Sequence, residues 1–186
     1  MNRLKLLVVG PVACGKTYLT NFLSEAIEQS SGEYRPTQAC RIVEYETEVK
    51  SKGKAANIEV QLWDISGDKK FASCWPALVS SVNGVVFVYN QDQPQQSEEL
   101  DQLYQFFVQN HGIKDTQCCV ISHKKPNTAD MDSLQLSDKF ENVRTVASDI
   151  PSAGDQLRDD FNNFLLHAYQ SMNENAEQDE LNILGR

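Results

Sequence analysis

The sequence has no hydrophobic run near the roughly 20 residues that a membrane-spanning helix needs. It also lacks the positive charge typical of nucleic-acid or anionic-lipid binders, because 17 Lys and Arg residues are outnumbered by 26 Asp and Glu residues, a formal net charge of −9. There is no C-terminal cysteine motif for prenylation, and Asn2 stands where N-myristoylation requires glycine. The N-terminus runs directly into an apolar strand pattern instead of a signal peptide. We therefore expect no membrane anchor and no nucleic-acid partner.

Cysteine is also scarce, and its spacing suggests neither disulfides nor a metal site. The chain has five cysteines, an odd number, and none forms a C-x-x-C pair. Reduced thiols in a cytoplasmic protein are the expected state of such a set. Cys118 and Cys119 are adjacent in an apolar strand pattern, so we expect them on opposite faces of that strand.

A glycine-rich motif near the N-terminus is the most informative feature that is present. Residues 10–17 read G-P-V-A-C-G-K-T, which fits the phosphate-binding pattern G-x-x-x-x-G-K-[ST]. The motif lies between a strand pattern and a helix pattern, so backbone N–H groups and the positive end of a helix converge on one place. Lys16 is expected to reach the β- and γ-phosphates, and Thr17 to bind Mg²⁺. The predicted nucleotide-binding residues of this motif are Gly10, Pro11, Val12, Ala13, Cys14, Gly15, Lys16 and Thr17.

Strand and helix patterns alternate along the chain. Strands are predicted at 4–9, 41–49, 58–63, 85–89, 118–121 and 143–146, with helices following the first, the fourth and the sixth. The second and third strands are joined by a hairpin turn at 50–56. This order predicts a three-layer α/β fold, in which a six-stranded, mostly parallel sheet with one antiparallel edge strand has helices on both faces. Residues 1–172 are expected to form one nucleotide-binding domain, and 173–186 a polar, fraying tail.

Two further segments narrow the range of possible nucleotide chemistry. Thr37 lies in the polar break after the first helix, where its hydroxyl can reach both Mg²⁺ and a γ-phosphate. The sequence D-I-S-G at 64–67 ends the third strand, so Asp64 can support the metal and the Gly67 N–H can contact the γ-phosphate. The predicted metal ligands are Thr17, Thr37 and Asp64.

In this order and on these elements, the motifs resemble those of the small GTPases of the Ras superfamily, over residues 3 to 170. The resemblance implies a P-loop small-GTPase fold, GTP or GDP with Mg²⁺ as ligands, and two nucleotide-sensing segments. We call these switch I, around Thr37, and switch II, residues 67–78. It also implies a contribution to nucleotide binding from Tyr34.

Two departures from the family pattern bear on hydrolysis. Asp68 occupies the catalytic position where family members carry the Gln that orients water, and a carboxylate cannot donate a hydrogen bond. Val12 fills a loop position that is normally small. Both changes predict slow hydrolysis, unless a partner supplies the missing group.

A further departure lies in the base-reading loop. The family pattern N-K-x-D is replaced by H-K-K-P at 123–126, which lacks the carboxylate that accepts hydrogen bonds from guanine. His123, Lys124 and Lys125 are still expected at the base, with Ala147 and Ser148 as the second base-side element. Asp130 or Asp132 are possible substitutes for the missing carboxylate, and adenine selectivity stays open beside guanine.

A closer resemblance comes from P-T-Q at 36–38, W-D-x-x-G-D at 63–68 and F-x-S-C-W-P-A-L at 71–78. These segments resemble the Rab-like small GTPases of intraflagellar transport complex B. That family implies a location in the cytoplasm and at the cilium or flagellum and its base. It also implies binding to coiled-coil subunits of the complex through the switches and the interswitch hairpin 41–64. Phe71, Trp75 and Leu78 are at helical spacing, so we expect some of these side chains to face outwards and the rest to be core.

Three functions follow from these patterns. The first is a GTP-binding transport subunit that docks through nucleotide-ordered switches with weak intrinsic hydrolysis. The second is an active GTP-hydrolysing molecular switch. The third is a P-loop nucleotide kinase, which is disfavoured because the chain lacks an Arg-rich lid and because that function leaves Thr37 and D-x-x-G unexplained.

Overall fold

The computed structural model describes residues 2–25, 35–51, 53–91, 93, 95–124 and 135–184. Six strands form one sheet in the order β2-β3-β1-β4-β5-β6. They are β1 (Asn2–Val9), β2 (Cys40–Ser51), β3 (Lys54–Ile65), β4 (Gly84–Asn90), β5 (Cys118–His123) and β6 (Arg144–Ser148). The β2–β3 pair is antiparallel and the other four pairs are parallel. This arrangement confirms the predicted sheet, with its antiparallel strand at one edge.

Four α-helices lie in the described part of the chain: α1 (Lys16–Leu23), α2 (Trp75–Leu78), α3 (Gln96–Phe107) and α4 (Ile150–Leu184). Short 3₁₀ helices occur at Lys69–Cys74, Gln109–His111, Asp115–Gln117 and Asp138–Phe140. Within these residues, no helix is both long enough and apolar enough to cross a bilayer.

The sheet separates two hydrophobic cores, as expected of a three-layer fold. Alternate residues of each buried strand enter opposite cores, so Val86 packs under α1 and α4 whereas Phe87 packs under α3. Cys118 and Cys119 follow the same rule and lie in different cores, as predicted. Helix α4 inserts fully buried residues into the first core, namely Leu157, Phe161, Phe164, Leu165 and Ala168.

The strand order determines where a ligand site can form. β1 lies in the middle of the sheet, with β3 on one side and β4, β5 and β6 on the other. At the carboxyl edge, the loop after β1 is therefore flanked by the end of β3 on one side. The ends of β5 and β6 lie on its opposite side. Ligands of open α/β sheets bind at this edge.

Two details of the elements differ from the sequence-based predictions. β2 and β3 pair along their whole length to Ser51 and Lys54, so the hairpin turn is much shorter than the predicted 50–56. Residues 71–78 do not form one continuous helix, because a 3₁₀ helix ends at Cys74 and α2 is only four residues long. Pro76 at the start of α2 removes a backbone donor and fits a helix N-terminus.

The polar C-terminal segment is helical in its described part. Helix α4 continues to Leu184, with a break in helical geometry at Ala153 (φ −139°). The tail is polar, but Glu, Gln, Ala and Leu are good helix formers, and a helix already anchored in the core extends without a new nucleation step. Its tip exposes Leu181 and Ile183.

We predict that Phe164→Ala lowers the free energy of unfolding by about 3–5 kcal/mol, because it opens a cavity between α4 and the sheet. Phe164 is 1% exposed, and its ring tip lies 3.2 Å from the position that a Cβ on Gly84 would take. Urea denaturation followed by circular dichroism measures the change. The matched control is Leu181→Ala on the same helix, which should stay within about 0.5 kcal/mol because Leu181 is 62% exposed.

Candidate functional site

The loop between β1 and α1 has the geometry of a phosphate-binding loop. Gly15 immediately precedes α1 and has a φ of +103°, which side chains rarely tolerate. A Cβ added at Gly15 would lie 2.3 Å from Cδ2 of His123, so glycine is required here on steric grounds too. Ala13 has a φ of +57° within the same loop. Such turns make backbone N–H groups converge, which creates an anion-binding concavity.

The Lys16 side chain folds back across this loop. Its Nζ donates hydrogen bonds to the carbonyl oxygens of Gly10, at 2.9 Å, and Pro11, at 2.7 Å. The side chain is buried, so the ammonium charge is held at the centre of the loop and not in solvent. Cys14 lies beside it and is fully buried, and burial raises the pKa of its thiol, which therefore stays neutral.

The three predicted metal ligands converge on one point. Thr17 Oγ1 donates to Oδ2 of Asp64 at 2.6 Å, and Thr37 Oγ1 donates to the same oxygen at 3.1 Å. The two hydroxyl oxygens are 2.9 Å apart. Residues separated by up to 47 positions in sequence thus meet beside the phosphate loop.

These residues fit a magnesium ion. The other carboxylate oxygen of Asp64, Oδ1, is buried and has no hydrogen-bond partner among the described residues. Burial raises the pKa of the Asp64 carboxyl, although the Thr17 and Thr37 hydrogen bonds and the Lys16 charge act in the opposite direction. The described residues contain no cluster of three or more His, Cys, Asp or Glu side chains suited to a metal. Mg²⁺ is a hard ion that is commonly held by one carboxylate together with substrate phosphates, which matches this donor set.

Switch II packs directly on the phosphate loop. A Cβ added at Gly67 would lie 2.5 Å from the carbonyl carbon of Pro11 and 2.6 Å from the backbone nitrogen of Val12. Only glycine permits this approach, as expected of a residue whose N–H must reach a γ-phosphate. Nearby, the Ser66 N–H donates to the Ala39 carbonyl at 2.9 Å, which connects the end of β3 to switch I.

Asp68 lies at the cleft, but its carboxylate is occupied by its own segment. It accepts a hydrogen bond from the Lys70 N–H at 3.0 Å and forms an ion pair with Lys70 Nζ at 2.9 Å. Through the backbone contact it caps the 3₁₀ helix Lys69–Cys74. The Lys70 hydrogen bonds lower the pKa of Asp68, so the side chain is ionised near neutral pH. Val12, also at the cleft, is 51% exposed.

On the opposite side of the loop, His123 connects three segments. Its ring is buried at the end of β5 against Gly15, and Nδ1 lies 3.2 Å from Oγ of Ser148 at the end of β6. The Lys124 N–H donates to the Ser148 carbonyl at 2.9 Å. His123 and Ser148 therefore hold the ends of β5 and β6 against the phosphate loop, whereas Ala147 is exposed. Tyr34, Lys125, Asp130 and Asp132 lie outside the described residues.

A cleft of about 650 Å³ joins these parts, a size that suits a nucleotide. Five of its lining residues were not assigned to the site by the sequence analysis: Tyr18, Pro36, Gln38, Ser66 and Lys70. The signal that could have found Tyr18 is its position, one residue after the phosphate-binding motif. The residues that line the cleft are Val12, Ala13, Cys14, Gly15, Lys16, Thr17, Tyr18, Pro36, Thr37, Gln38, Ser66, Gly67, Asp68, Lys70 and His123.

The segment 71–78 packs partly inwards, in agreement with the mixed expectation. The Trp75 ring contacts Phe106 and Phe107 of α3 at centroid distances of 5.2 Å. Trp75 and Leu78 border the second core, while Phe71 is half-buried with Lys70 Nζ 4.9 Å from its ring centroid. Ile42 on β2 is 48% exposed and therefore the most open large apolar side chain of the interswitch hairpin.

Comparisons with known proteins agree with this geometry. The family model described as "Ras of Complex, Roc, domain of DAPkinase" matches residues 5–126. The computed structure resembles a chain of the "T. brucei IFT22/74/81 GTP-bound crystal structure" with a TM-score of 0.77 and 26% identity. That match covers 92% of this chain and 98% of the T. brucei chain.

Curated relatives match over the full length. The "Intraflagellar transport protein 22 homolog" of Homo sapiens is 40% identical over 186 residues, covering 99% of this chain and all of the relative. The homologue of the same name from Danio rerio is 37% identical over 186 residues, with the same coverage. "Intraflagellar transport associated protein 2" of Caenorhabditis elegans is 32% identical and covers 87% of this chain and 77% of the relative. The chain therefore belongs to the family of intraflagellar transport protein 22 homologues, small GTPase-like proteins with the Rab-like motifs at 36–38, 63–68 and 71–78.

Proposed function

We propose that this chain is a GTP-binding subunit of intraflagellar transport complex B. The observation that carries the proposal is the convergence of Thr17, Thr37 and Asp64 beside a formed phosphate loop. The T. brucei relative of the same fold was crystallised bound to GTP and together with IFT74 and IFT81. A place in the cytoplasm and at the cilium or flagellum and its base follows from the same family.

The phosphate chain is assigned to the loop amides and Lys16, and Mg²⁺ to Thr17, Thr37 and Asp64. When bound, the metal neutralises phosphate charge. Lys16 is already oriented, since its ammonium is fixed by the carbonyls of Gly10 and Pro11. Thr37 is the only one of these ligands in switch I, so ligand binding fixes that segment to β3.

Intrinsic hydrolysis is proposed to be weak. Asp68 is ionised and paired with Lys70, so it cannot donate a hydrogen bond to water. It also adds negative charge near a γ-phosphate. Val12 projects into the same cleft. The alternative of an actively hydrolysing switch requires a partner that displaces Asp68 and supplies a cation.

The docking surface is proposed to be the outer face of the interswitch hairpin together with the switches. Ile42 pairs in register with Trp63, and Lys5 Nζ covers the Trp63 ring at 3.8 Å from its centroid. Further along β2, the same exposed face carries Glu44, Glu46 and Glu48. An apolar patch followed by carboxylates suits a coiled coil whose apolar seam is flanked by basic residues. This is the surface assigned to the IFT74 and IFT81 counterparts.

Asp64→Asn tests the nucleotide proposal, because it should have opposite effects on the stability of the nucleotide-free protein and on its affinity for GTP. Removing a buried, poorly compensated charge should raise the unfolding temperature of the nucleotide-free protein. The same change should weaken GTP binding in Mg²⁺ by about tenfold or more and reduce the effect of Mg²⁺ on affinity. Differential scanning fluorimetry and calorimetric titration with GTP, with and without EDTA, measure both. Asp159→Asn, an exposed carboxylate on α4, is the control; equal GTP affinity of Asp64→Asn and wild type would contradict the proposal.

Asp68→Gln should raise single-turnover GTP hydrolysis by about tenfold, because an amide can donate a hydrogen bond at the reacting centre. The readout is phosphate release from preloaded protein. The matched control is the same substitution at an exposed site, Asp159→Gln, which should leave the rate unchanged. An unchanged rate in Asp68→Gln would mean that Asp68 does not limit the reaction, and Asp68→Gln combined with Val12→Gly would then separate the contribution of Val12.

Ile42→Asp should lower affinity for the purified IFT74–IFT81 pair by about tenfold or more, because it places a charge in the apolar part of the docking face. GTP affinity should stay at the wild-type value, which also shows that the variant is folded. Leu181→Asp is the matched control, since Leu181 is an exposed apolar residue remote from the hairpin. Loss of partner binding in Leu181→Asp but not in Ile42→Asp would move the interface to α4.

A further inference from the structure

Among the described residues, the side of the cleft that should hold the nucleoside has no carboxylate to read a base edge, while Asp130 and Asp132 lie outside those residues. The position where the family carries its Asp is Pro126, and His123 is engaged with Gly15 and Ser148. A base can also be held by an aromatic surface, which needs no hydrogen bond to the base edge.

Tyr18 is placed to be that group. It lies in the first turn of α1, directly after Thr17, and its side chain is 50% exposed at the cleft. A large aromatic side chain left half-open in a cleft gains nothing from that exposure on its own. Neither the phosphate contacts nor the proposed metal site uses it.

The sheet topology fixes which end of the ligand Tyr18 faces. Switch II follows β3 on one side of the phosphate loop, and His123 ends β5 on the other. The γ-phosphate end must lie towards Gly67 and Thr37, so the nucleoside must leave the loop on the β5 side. The Tyr18 and His123 rings meet there, with centroids 5.8 Å apart and planes tilted by 51°.

We propose that Tyr18 is a nucleoside-binding residue, which offers its open ring face as the surface on which the purine of the bound nucleotide stacks. This inference rests on the proposed GTP binding. The two rings are already in contact, so the base does not fit between them; it packs on the exposed face of Tyr18, and His123 supports the ring from behind. Stacking does not read the base edge, so Tyr18 contributes to purine affinity without selecting guanine over adenine.

The test compares GTP, ATP and inorganic tripolyphosphate, each with Mg²⁺, by calorimetric titration. Tyr18→Ala should weaken GTP and ATP binding by the same factor, about tenfold or more, and leave tripolyphosphate affinity within about twofold. Tyr18→Phe keeps the ring and should bind all three like wild type. Lys16→Ala should lose affinity for all three, because it removes a phosphate contact.

The outcomes distinguish a failure of the Tyr18 stacking role from a failure of the proposed nucleotide binding. If Tyr18→Ala binds GTP as wild type does, the stacking role is wrong while nucleotide binding stands. If Tyr18→Ala loses tripolyphosphate as strongly as GTP, Tyr18 acts on the loop structure and the inference also fails. If wild type binds none of the three, the proposed function itself fails.

Discussion

The buried carboxylate of Asp64 is the interaction on which the site depends. One of its oxygens binds two threonine hydroxyls from different elements, while the other has no partner among the described residues. Such a group is costly in a protein interior, and its raised pKa reflects that cost. A cation beside it would satisfy the free oxygen. Burial of Asp64 therefore costs folding free energy, and a cation bound beside it would recover part of that cost.

Contacts of Asp64 and its neighbours connect switch I and switch II to the same strand. Thr37 is connected to the end of β3 through Asp64, and the Ser66 N–H is bonded to the Ala39 carbonyl. Gly67 in turn lies against the phosphate loop. Since β2 and β3 pair along their whole length, both switches are fixed to one hairpin, whose outer face carries Ile42. These contacts are the path by which, under the proposed function, a change at the nucleotide would reach that face.

The sheet, the phosphate loop and the convergence of Thr17, Thr37 and Asp64 could be predicted from the sequence, because each depends on local patterns or on fixed spacing. The contacts of His123 with Tyr18 and Ser148 could not, since they depend on how the ends of β5 and β6 meet the first turn of α1. The Lys70 pairing of Asp68 depends on the 3₁₀ geometry of switch II. Helix α4 was predicted too short because a polar sequence masks good helix propensity once the helix is anchored.

Two departures from the usual small-GTPase residues have the same physical consequence. At position 68 the chain has a carboxylate that is paired with Lys70. At position 123 it has an imidazole ring that packs against Gly15 and contacts the hydroxyl of Ser148. Both side chains already have protein partners, so neither is free to follow charge as it develops on a reacting phosphate. By contrast, Lys16 and Asp64, which we propose hold a ligand, are buried and already fixed by hydrogen bonds within the protein. Strong ground-state contacts with few groups aimed at the transition state favour binding over conversion, which is the physical basis of the weak hydrolysis that we propose.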